Sequence, residues 1–153
     1  MTSEQYMVLL QDLARVAGLA NPSALMENGR LKVQDLDCVL EHSPAYDEKL
    51  LQVRMRLGTM PSDTTDLTRA ILEANYVSGY GGECVFSLYP KSDDVIITMK
   101  VRLQESLTAQ ELWQGISDVA QHGSQMWEGI VNMARASSDE APRDTRHEHS
   151  FKP

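Results

Sequence analysis

Residues 67–103 read LTRAILEANYVSGYGGECVFSLYPKSDDVIITMKVRL, and this stretch decides the fold. Its first part has apolar residues at three-and-four spacing, which predicts an amphipathic helix from about Thr64 to Val77. Two segments with apolar residues at every second position follow, Cys84–Leu88 and Val95–Leu103, with a short polar turn between them. Such alternation predicts two strands paired as a β-hairpin. A helix and a hairpin alone leave apolar surface exposed, so other parts of the chain must cover it.

The glycine-rich run GYGG, residues 79–82, follows the predicted helix directly. Glycines that bind phosphate precede a helix, where free backbone N–H groups and the positive end of the dipole point at the ligand. Here the glycines lie at the negative end of the helix. The run therefore predicts a helix end and a turn, and it argues against a nucleotide site.

Upstream of this stretch, the pattern predicts one helix and three strands. Ser3 can cap a helix whose apolar residues recur at helical spacing as far as Ala17. In residues 31–41 the alternation changes phase near Gln34, which indicates a turn or bulge between two short strands. Residues 51–57 alternate without interruption and predict a third strand.

Downstream of it, Thr108 and Glu111 have the spacing of a capping box and begin the strongest predicted helix, which carries Trp127. From residue 136 onward almost no apolar residue occurs. We therefore expect one domain over residues 1–135 and a disordered polar tail over 136–153. The resulting order, α-βββ-α-ββ-α, predicts an α+β fold in which three helices pack against an antiparallel sheet.

Size and charge narrow the classes of function. With 153 residues and 42% hydrophobic residues, the chain can bury the core of one domain. Its formal charge of −8 repels phosphate backbones and anionic lipid, so no nucleic-acid partner is expected and a basic or amphipathic protein segment is favoured. The first apolar run lacks a basic leader and is interrupted by Gln11, Asp12 and Arg15. It predicts neither a signal peptide nor membrane insertion, and hence a cytoplasmic protein.

The reactive side chains do not form a recognisable catalytic or metal-binding set. Cys38 and His42 are four residues apart on a predicted strand, roughly 13 Å along an extended chain, which is too far for direct proton transfer. Cys38 and Cys84 are expected to be buried, reduced thiols. Residues 147–149, His-Glu-His, contain metal-binding groups, but the predicted tail offers no second shell to orient them. We therefore expect no catalytic residue, no metal and no cofactor.

Residues 67–130 resemble the Tir-chaperone (CesT-type) family of type III secretion chaperones. The matching features are the Leu-Glu-Ala-Asn helix end at residues 72–75, the glycine turn, the FSLYP strand and Trp127 in the final helix. Upstream, NGRLKVQDLDCVLEH and LLQVRMRLGTMP are similar to the first strands of the family. The resemblance extends, in the order of elements, over about residues 3–135.

The resemblance implies a non-enzymatic homodimer in the bacterial cytoplasm. Such a chaperone binds the N-terminal chaperone-binding region of one or more effector proteins and keeps it extended and export-competent without ATP; contact with the ATPase of the export apparatus is left open. By analogy, the first helix and the early strands contact the client, through Leu9, Leu13, Val33, Leu36, Leu40, Val53 and Met55. The middle helix and the following strand would form the dimer interface, through Ile71, Leu72, Tyr76, Phe86 and Leu88.

The alternative is a small regulatory or ligand-binding α+β protein, or an enzyme with an unrecognised site. It requires a closed pocket with convergent polar groups, for example Cys38 and His42 beside an acidic residue. A cavity that held such a set within hydrogen-bond reach would favour this alternative.

Overall fold

An antiparallel sheet lies at the centre of the computed structural model, which describes residues 1–61, 65–78 and 84–140. The elements in chain order are α1 (Ser3–Val16), α2 (Ser23–Asn28), β1 (Arg30–Val33), β2 (Leu36–His42), β3 (Leu50–Thr59), α3 (Thr65–Ser78), β4 (Cys84–Leu88), β5 (Asp94–Arg102) and α4 (Ala109–Glu140). The strand order across the sheet is β1-β2-β3-β5-β4. The predicted α+β class with an antiparallel sheet is confirmed.

Two hairpins account for most of the sheet. β1 and β2 are joined at Gln34 and Asp35, and Gln34 has a positive φ of 54°, so the phase change in the sequence marks a tight turn. β4 and β5 pair as the predicted second hairpin. Because β5 pairs with β3 on its other side, β1 and β4 are the two edges of the sheet.

One face of the sheet is apolar and is covered by helices. Alternate residues of the strands are buried there, including Val53, Met55 and Ile97, while residues between them, such as Gln52 and Arg54, are partly or fully exposed. The helices contribute the apolar stripes predicted for α1 and α4 to the same core. Period-two strands with one buried face, covered by period-3.6 helices, are therefore the physical basis of the fold.

Close approach of α4 to the sheet depends on two glycines. The β3–β5 register shifts between Arg56 and Gly58, and a Cβ at Gly58 would lie 2.8 Å from Nε1 of Trp127. A Cβ at Gly123 on α4 would lie 3.1 Å from Cδ1 of Ile97. The bulged strand and the missing side chains let the buried Trp127 ring lie directly on the sheet.

Three features of the helices differ from the sequence predictions. Thr2, not Ser3, caps α1, since its Oγ1 accepts from the N–H of Gln5 at 3.2 Å and its own N–H donates to Gln5 Oε1 at 2.7 Å. The six-residue helix α2 was not predicted, because its sequence resembles a turn. α4 continues to Glu140, five residues past the predicted boundary at residue 135. Extending an existing helix adds one backbone bond per residue without new nucleation.

Some predictions concern residues that the structure does not describe. These include the glycine run at 79–82 and the His-Glu-His segment at 147–149, and the proposed tail is described only as far as residue 140. Among the helices of residues 1–61, 65–78 and 84–140, none combines the length and apolarity needed to span a bilayer.

Candidate functional site

The β1 edge of the sheet carries backbone N–H and C=O groups that point away from β2. The N–H of Leu40 donates to the carbonyl of Gly29 at 2.8 Å, which makes these two residues a hydrogen-bonded pair just before β1. Because such pairs alternate along an antiparallel ladder, Arg30 and Lys32 occupy non-hydrogen-bonded positions. Their N–H and C=O groups point away from β2, and none of the described residues is hydrogen-bonded to them. This edge can accept another strand.

A groove of about 480 Å³ runs beside this edge. Its apolar lining includes Leu19, Ala24 and Leu31, contributed by α2, the segment before it and β1. Its charged lining consists of Arg30, Lys32 and Asp37, with Nζ of Lys32 and Oδ1 of Asp37 3.6 Å apart. Free backbone groups beside apolar pockets are the features by which an extended peptide is bound through strand addition.

A second concavity, the α1–α4 cleft, has a volume of about 700 Å³ and lies between α1 and the start of α4. Val8, Leu9 and Leu107 supply apolar lining, and the Val8 side chain is 54% exposed. The carboxylates of Glu4, Asp12 and Glu105 also line the cleft, and that of Asp12 pairs with Arg15 at 2.8 Å. The cleft therefore offers apolar contact with negative charge around it, which suits a segment with apolar and basic side chains.

Large apolar side chains are also exposed on α3 and β4, and we call this region the α3–β4 surface. Its members, with their exposed fractions, are Leu72 (64%), Tyr76 (70%) and Leu88 (47%). Val85 is also exposed (48%), but it alternates with Phe86 and Leu88 and points to the opposite face of β4. Leu72 and Tyr76 lie one turn apart on the same side of α3. Grouped exposed apolar residues indicate a protein contact surface more often than scattered ones do.

Asn75 fixes α3 to β4 beneath this surface. Its Oδ1 accepts from the N–H of Phe86 at 2.7 Å, and its Nδ2 donates to the carbonyl of Phe86 at 2.9 Å. One side-chain amide therefore satisfies both backbone groups of a residue in an edge strand. The final residue of the Leu-Glu-Ala-Asn motif thus has a structural role that the sequence pattern alone did not reveal.

The residues predicted to contact a client lie mostly inside the domain. Leu36 is partly exposed, and Leu9 is buried but lines the α1–α4 cleft. The others are enclosed in the core of the described chain: Leu13, Val33, Leu40, Val53 and Met55. The same alternation that marks the inner face of a sheet marks an apolar groove, so the sequence could not separate the two.

The predicted dimer residues divide between core and surface. Leu72, Tyr76 and Leu88 are exposed on the α3–β4 surface, whereas Ile71 and Phe86 are buried. Sequence reasoning omitted Val85 and Val8, which are apolar residues outside the buried stripes. It also omitted the outward backbone groups of β1. Which strands lie at the edges depends on their order in the sheet, and that order cannot be read from the sequence.

The surroundings of Cys38 and His42, the candidate catalytic pair, do not favour nucleophilic catalysis. Burial raises the pKa of the Cys38 thiol to about 12, so the nucleophilic thiolate is not formed at neutral pH. Nε2 of His42 lies 3.0 Å from the carbonyl oxygen of Glu48, and the imidazole packs against Tyr6 with ring centroids 4.6 Å apart. Among the described residues, no group of three His, Cys, Asp or Glu side chains could hold a metal ion.

Comparison with known proteins identifies the family. A search of the curated proteins finds no match. A chain of the solved "Structure of the HopA1-SchA Chaperone-Effector Complex" is similar with a TM-score of 0.63 and 15% sequence identity, over 81% of this chain and 94% of that chain. At this identity the likeness shows the fold alone. The model of the Tir chaperone protein (CesT) family matches residues 8–121, from within α1 to within α4. Because this match spans more than half of the chain, the protein belongs to the Tir chaperone (CesT) family of type III secretion chaperones.

Proposed function

We propose that this chain acts in the bacterial cytoplasm as a type III secretion chaperone that binds the N-terminal chaperone-binding region of one or more effectors. In this function it keeps that region extended and export-competent without ATP. Family membership supports the class of function. The observation that carries the binding mode is the open β1 edge beside an apolar groove.

The client adds as an extended strand along β1. Its backbone pairs with the outward N–H and C=O groups of Arg30 and Lys32, and its alternate side chains enter the groove next to Leu31. Main-chain pairing of this kind is independent of side-chain identity, so one edge can serve several clients. Selectivity then comes from the pockets that receive the alternate side chains.

Strand addition at so short an edge is insufficient by itself. Ordering each client residue costs about 1–2 kcal/mol of backbone entropy, whereas one hydrogen bond contributes a net value of only about 1 kcal/mol. A wider apolar contact must therefore offset the cost. The α1–α4 cleft, with Val8 exposed and Leu9 beneath it, provides such a contact.

Among the client-contact residues predicted from the sequence, we assign direct contact to Leu9 and Leu36, which reach a cleft or the surface. The remaining five are buried, and we infer that they hold α1 and the strands in position instead of touching the client. The carboxylates of Glu4 and Glu105 favour clients with basic residues near the apolar ones.

We also propose that the protein is a homodimer joined through the α3–β4 surface. A twofold interface uses the same patch on both subunits, so a self-complementary apolar surface suits it. Leu72, Tyr76 and Leu88 provide exposed apolar side chains from two adjoining elements. Pairing would remove these side chains from water.

The test is to purify the tagged chain from its native cytoplasm and to identify bound proteins by mass spectrometry after limited proteolysis. The expected result is a stoichiometric secreted protein that is protected over its N-terminal region. Absence of any stoichiometric partner, or protection of a folded domain of the partner only, would contradict the proposal.

A pair of variants at one position tests the binding mode. Lys32→Pro removes the outward N–H from β1, and proline is tolerated at the edge of a sheet, so client retention should fall strongly. The matched control, Lys32→Thr, removes the charge but keeps the N–H and should retain the client. Equal retention by both variants would exclude pairing at β1.

A further inference from the structure

We propose that Asn75 closes the β4 edge of the sheet to added strands and so directs an extended partner to β1. The inference rests on the proposed function and adds to it the residue that selects the edge. A five-stranded open sheet has two edges, and strand addition at the wrong one would place a client away from the groove and clefts described above.

The direction of the backbone groups in β4 follows from its pairing with β5. The N–H of Tyr89 donates to the carbonyl of Asp94 at 2.9 Å, which sets the hydrogen-bonded positions along this ladder. Counting back from Tyr89, Ser87 and Val85 face β5, whereas Leu88, Phe86 and Cys84 point their backbone groups away from it. Phe86 is therefore the central outward residue of the β4 edge.

Asn75 occupies both groups of that central residue. The bonds of 2.7 Å to the N–H and 2.9 Å to the carbonyl reproduce the donor and acceptor pair that a residue of a neighbouring strand would present. An incoming strand that pairs with Leu88 and continues along β4 would have to displace the amide of Asn75. It would exchange two formed hydrogen bonds for two others and gain nothing at this position.

Among the described residues, none closes the β1 edge in this way. Arg30 and Lys32 are its outward residues, and no described side chain is hydrogen-bonded to their backbone groups. A client therefore gains two new backbone pairs at β1 without breaking existing bonds. The bonds of Asn75 therefore add a free-energy cost to strand addition at β4 that β1 does not have, and this cost favours β1.

The experiment follows backbone amide hydrogen exchange by NMR with a defined probe, a peptide of alternating Val and Thr with a lysine at each end. In the wild-type chain the peptide should slow exchange at Arg30 and Lys32 and leave Leu88 unchanged. Slower exchange at Leu88, or no effect at either edge, would overturn the proposal. This arm needs no variant and shows which edge the peptide uses; the variants below test whether Asn75 is responsible for that choice.

The variant Asn75→Ala should open the β4 edge. Without peptide, the N–H of Phe86 should exchange about tenfold faster, because its hydrogen bond is lost. With peptide, its exchange should slow again, since the probe now pairs at β4. If Asn75 had only a structural role, exchange would stay fast with or without the peptide, and that result would also overturn the proposal.

Two further variants complete the test. Asn75→Asp keeps an acceptor for the N–H of Phe86, so that amide should stay protected and the peptide should still pair only at β1. Glu73→Ala removes an exposed ion pair with Arg69 on the same helix and should behave as the wild type. If the synthetic peptide selects β1 but no effector is retained from the cytoplasm, edge selection stands and the proposed chaperone function fails.

Discussion

Gly29 is the residue at which the backbone of this fold is most tightly constrained. It ends α2 with a φ of +69°, and a Cβ built on it would collide with the carbonyl oxygen of Leu40. The same carbonyl group belongs to β2, which pairs with the strand that begins at the next residue. A side chain at position 29 would therefore disturb both the helix end and the start of the β1 edge.

Gly29→Ala should destabilise the protein by more than the about 1–2 kcal/mol that a left-handed conformation costs a non-glycine residue. The excess comes from the clash with Leu40, which the strand pairing prevents from moving. The matched control is Gly18→Ala, since Gly18 has a φ of +65° but nothing within 4 Å of the built Cβ. Urea denaturation of both variants measures the difference, and equal losses would contradict the argument.

Asp94 connects β5 to β3 through polar contacts. Its Oδ1 accepts from Nε of Arg56 at 2.7 Å and from the hydroxyl of Thr59 at 3.3 Å, and its Oδ2 accepts from Ser92 at 2.8 Å. The hydrogen bond from Arg56, followed by that from Ser92, lowers the pKa of this carboxyl group below its usual value. The folded state therefore favours the charged form of Asp94.

The stability that Asp94 contributes to the folded state depends on pH. Because the folded-state pKa is lower than that of the unfolded chain, Asp94 contributes stability above its unfolded pKa of about 3.9, and this contribution is lost as the pH falls through the folded value. Asp94→Asn should thus lower the thermal midpoint at neutral pH, and the gap to wild type should narrow in acid. The control Asp93→Asn removes a carboxylate charge from the preceding residue. A gap that does not change with pH would refute this assignment.

At the scale of elements, the contact between α4 and the bulged end of β3 sets how closely helix and sheet pack. Gly58→Ala would place a methyl group against the buried Trp127 ring and should cost about 1–3 kcal/mol through overpacking. Gly129→Ala, on the exposed side of α4 with open space around it, should instead stabilise the helix by about 0.5–1 kcal/mol. Denaturation followed by tryptophan fluorescence measures both, and an unperturbed emission spectrum in the Gly58 variant would contradict contact with Trp127.

The elements that the sequence predicted well are those with long, regular patterns. The β4–β5 hairpin and the capping box of α4 are as expected, with the N–H of Thr108 donating to Glu111 at 2.9 Å and the N–H of Glu111 donating to Thr108 at 3.2 Å. The short helix α2 could not be predicted from periodicity, because six residues contain fewer than two turns. Its start has two local bonds, from the N–H of Ser23 to Oδ1 of Asn21 at 3.0 Å and from the N–H of Met26 to the carbonyl of Pro22 at 2.9 Å.

The candidate site was less predictable than the fold for a physical reason. Alternating apolar residues such as Val53 and Met55 indicate an inward-facing surface, but they do not state whether a helix of the same chain or a partner covers it. The open edge at β1 and the closed edge at β4 depend on strand order and on one long-range side-chain bond from Asn75. Neither is encoded in a local pattern.

At the scale of the whole molecule, charge is arranged so that the polar face of the sheet is locally compensated. Arg54 pairs with Glu41 at 2.7 Å across β2 and β3, and Arg102 pairs with Asp47 at 3.1 Å. Neighbouring carboxylates therefore compensate the charges of Arg54 and Arg102. The net charge of −8 remains as a field that attracts basic segments, and the rate of client binding should decrease as salt screens it.

The proposed homodimer makes a last prediction about the α3–β4 surface. Burying a Leu side chain contributes about 1.5–3 kcal/mol, and a twofold interface contains each residue twice, so Leu72→Asp should weaken dimerisation by at least about 100-fold. Leu72 is 64% exposed in the single chain, so the substitution should leave the fold intact, as circular dichroism would show. The control Tyr46→Asp places the same charge on an exposed aromatic residue in the β2–β3 connection and should leave a dimer. Sedimentation velocity at micromolar concentration distinguishes the outcomes. A monomeric wild type would exclude the dimer, and a dimeric Leu72→Asp variant would place the subunit contact elsewhere.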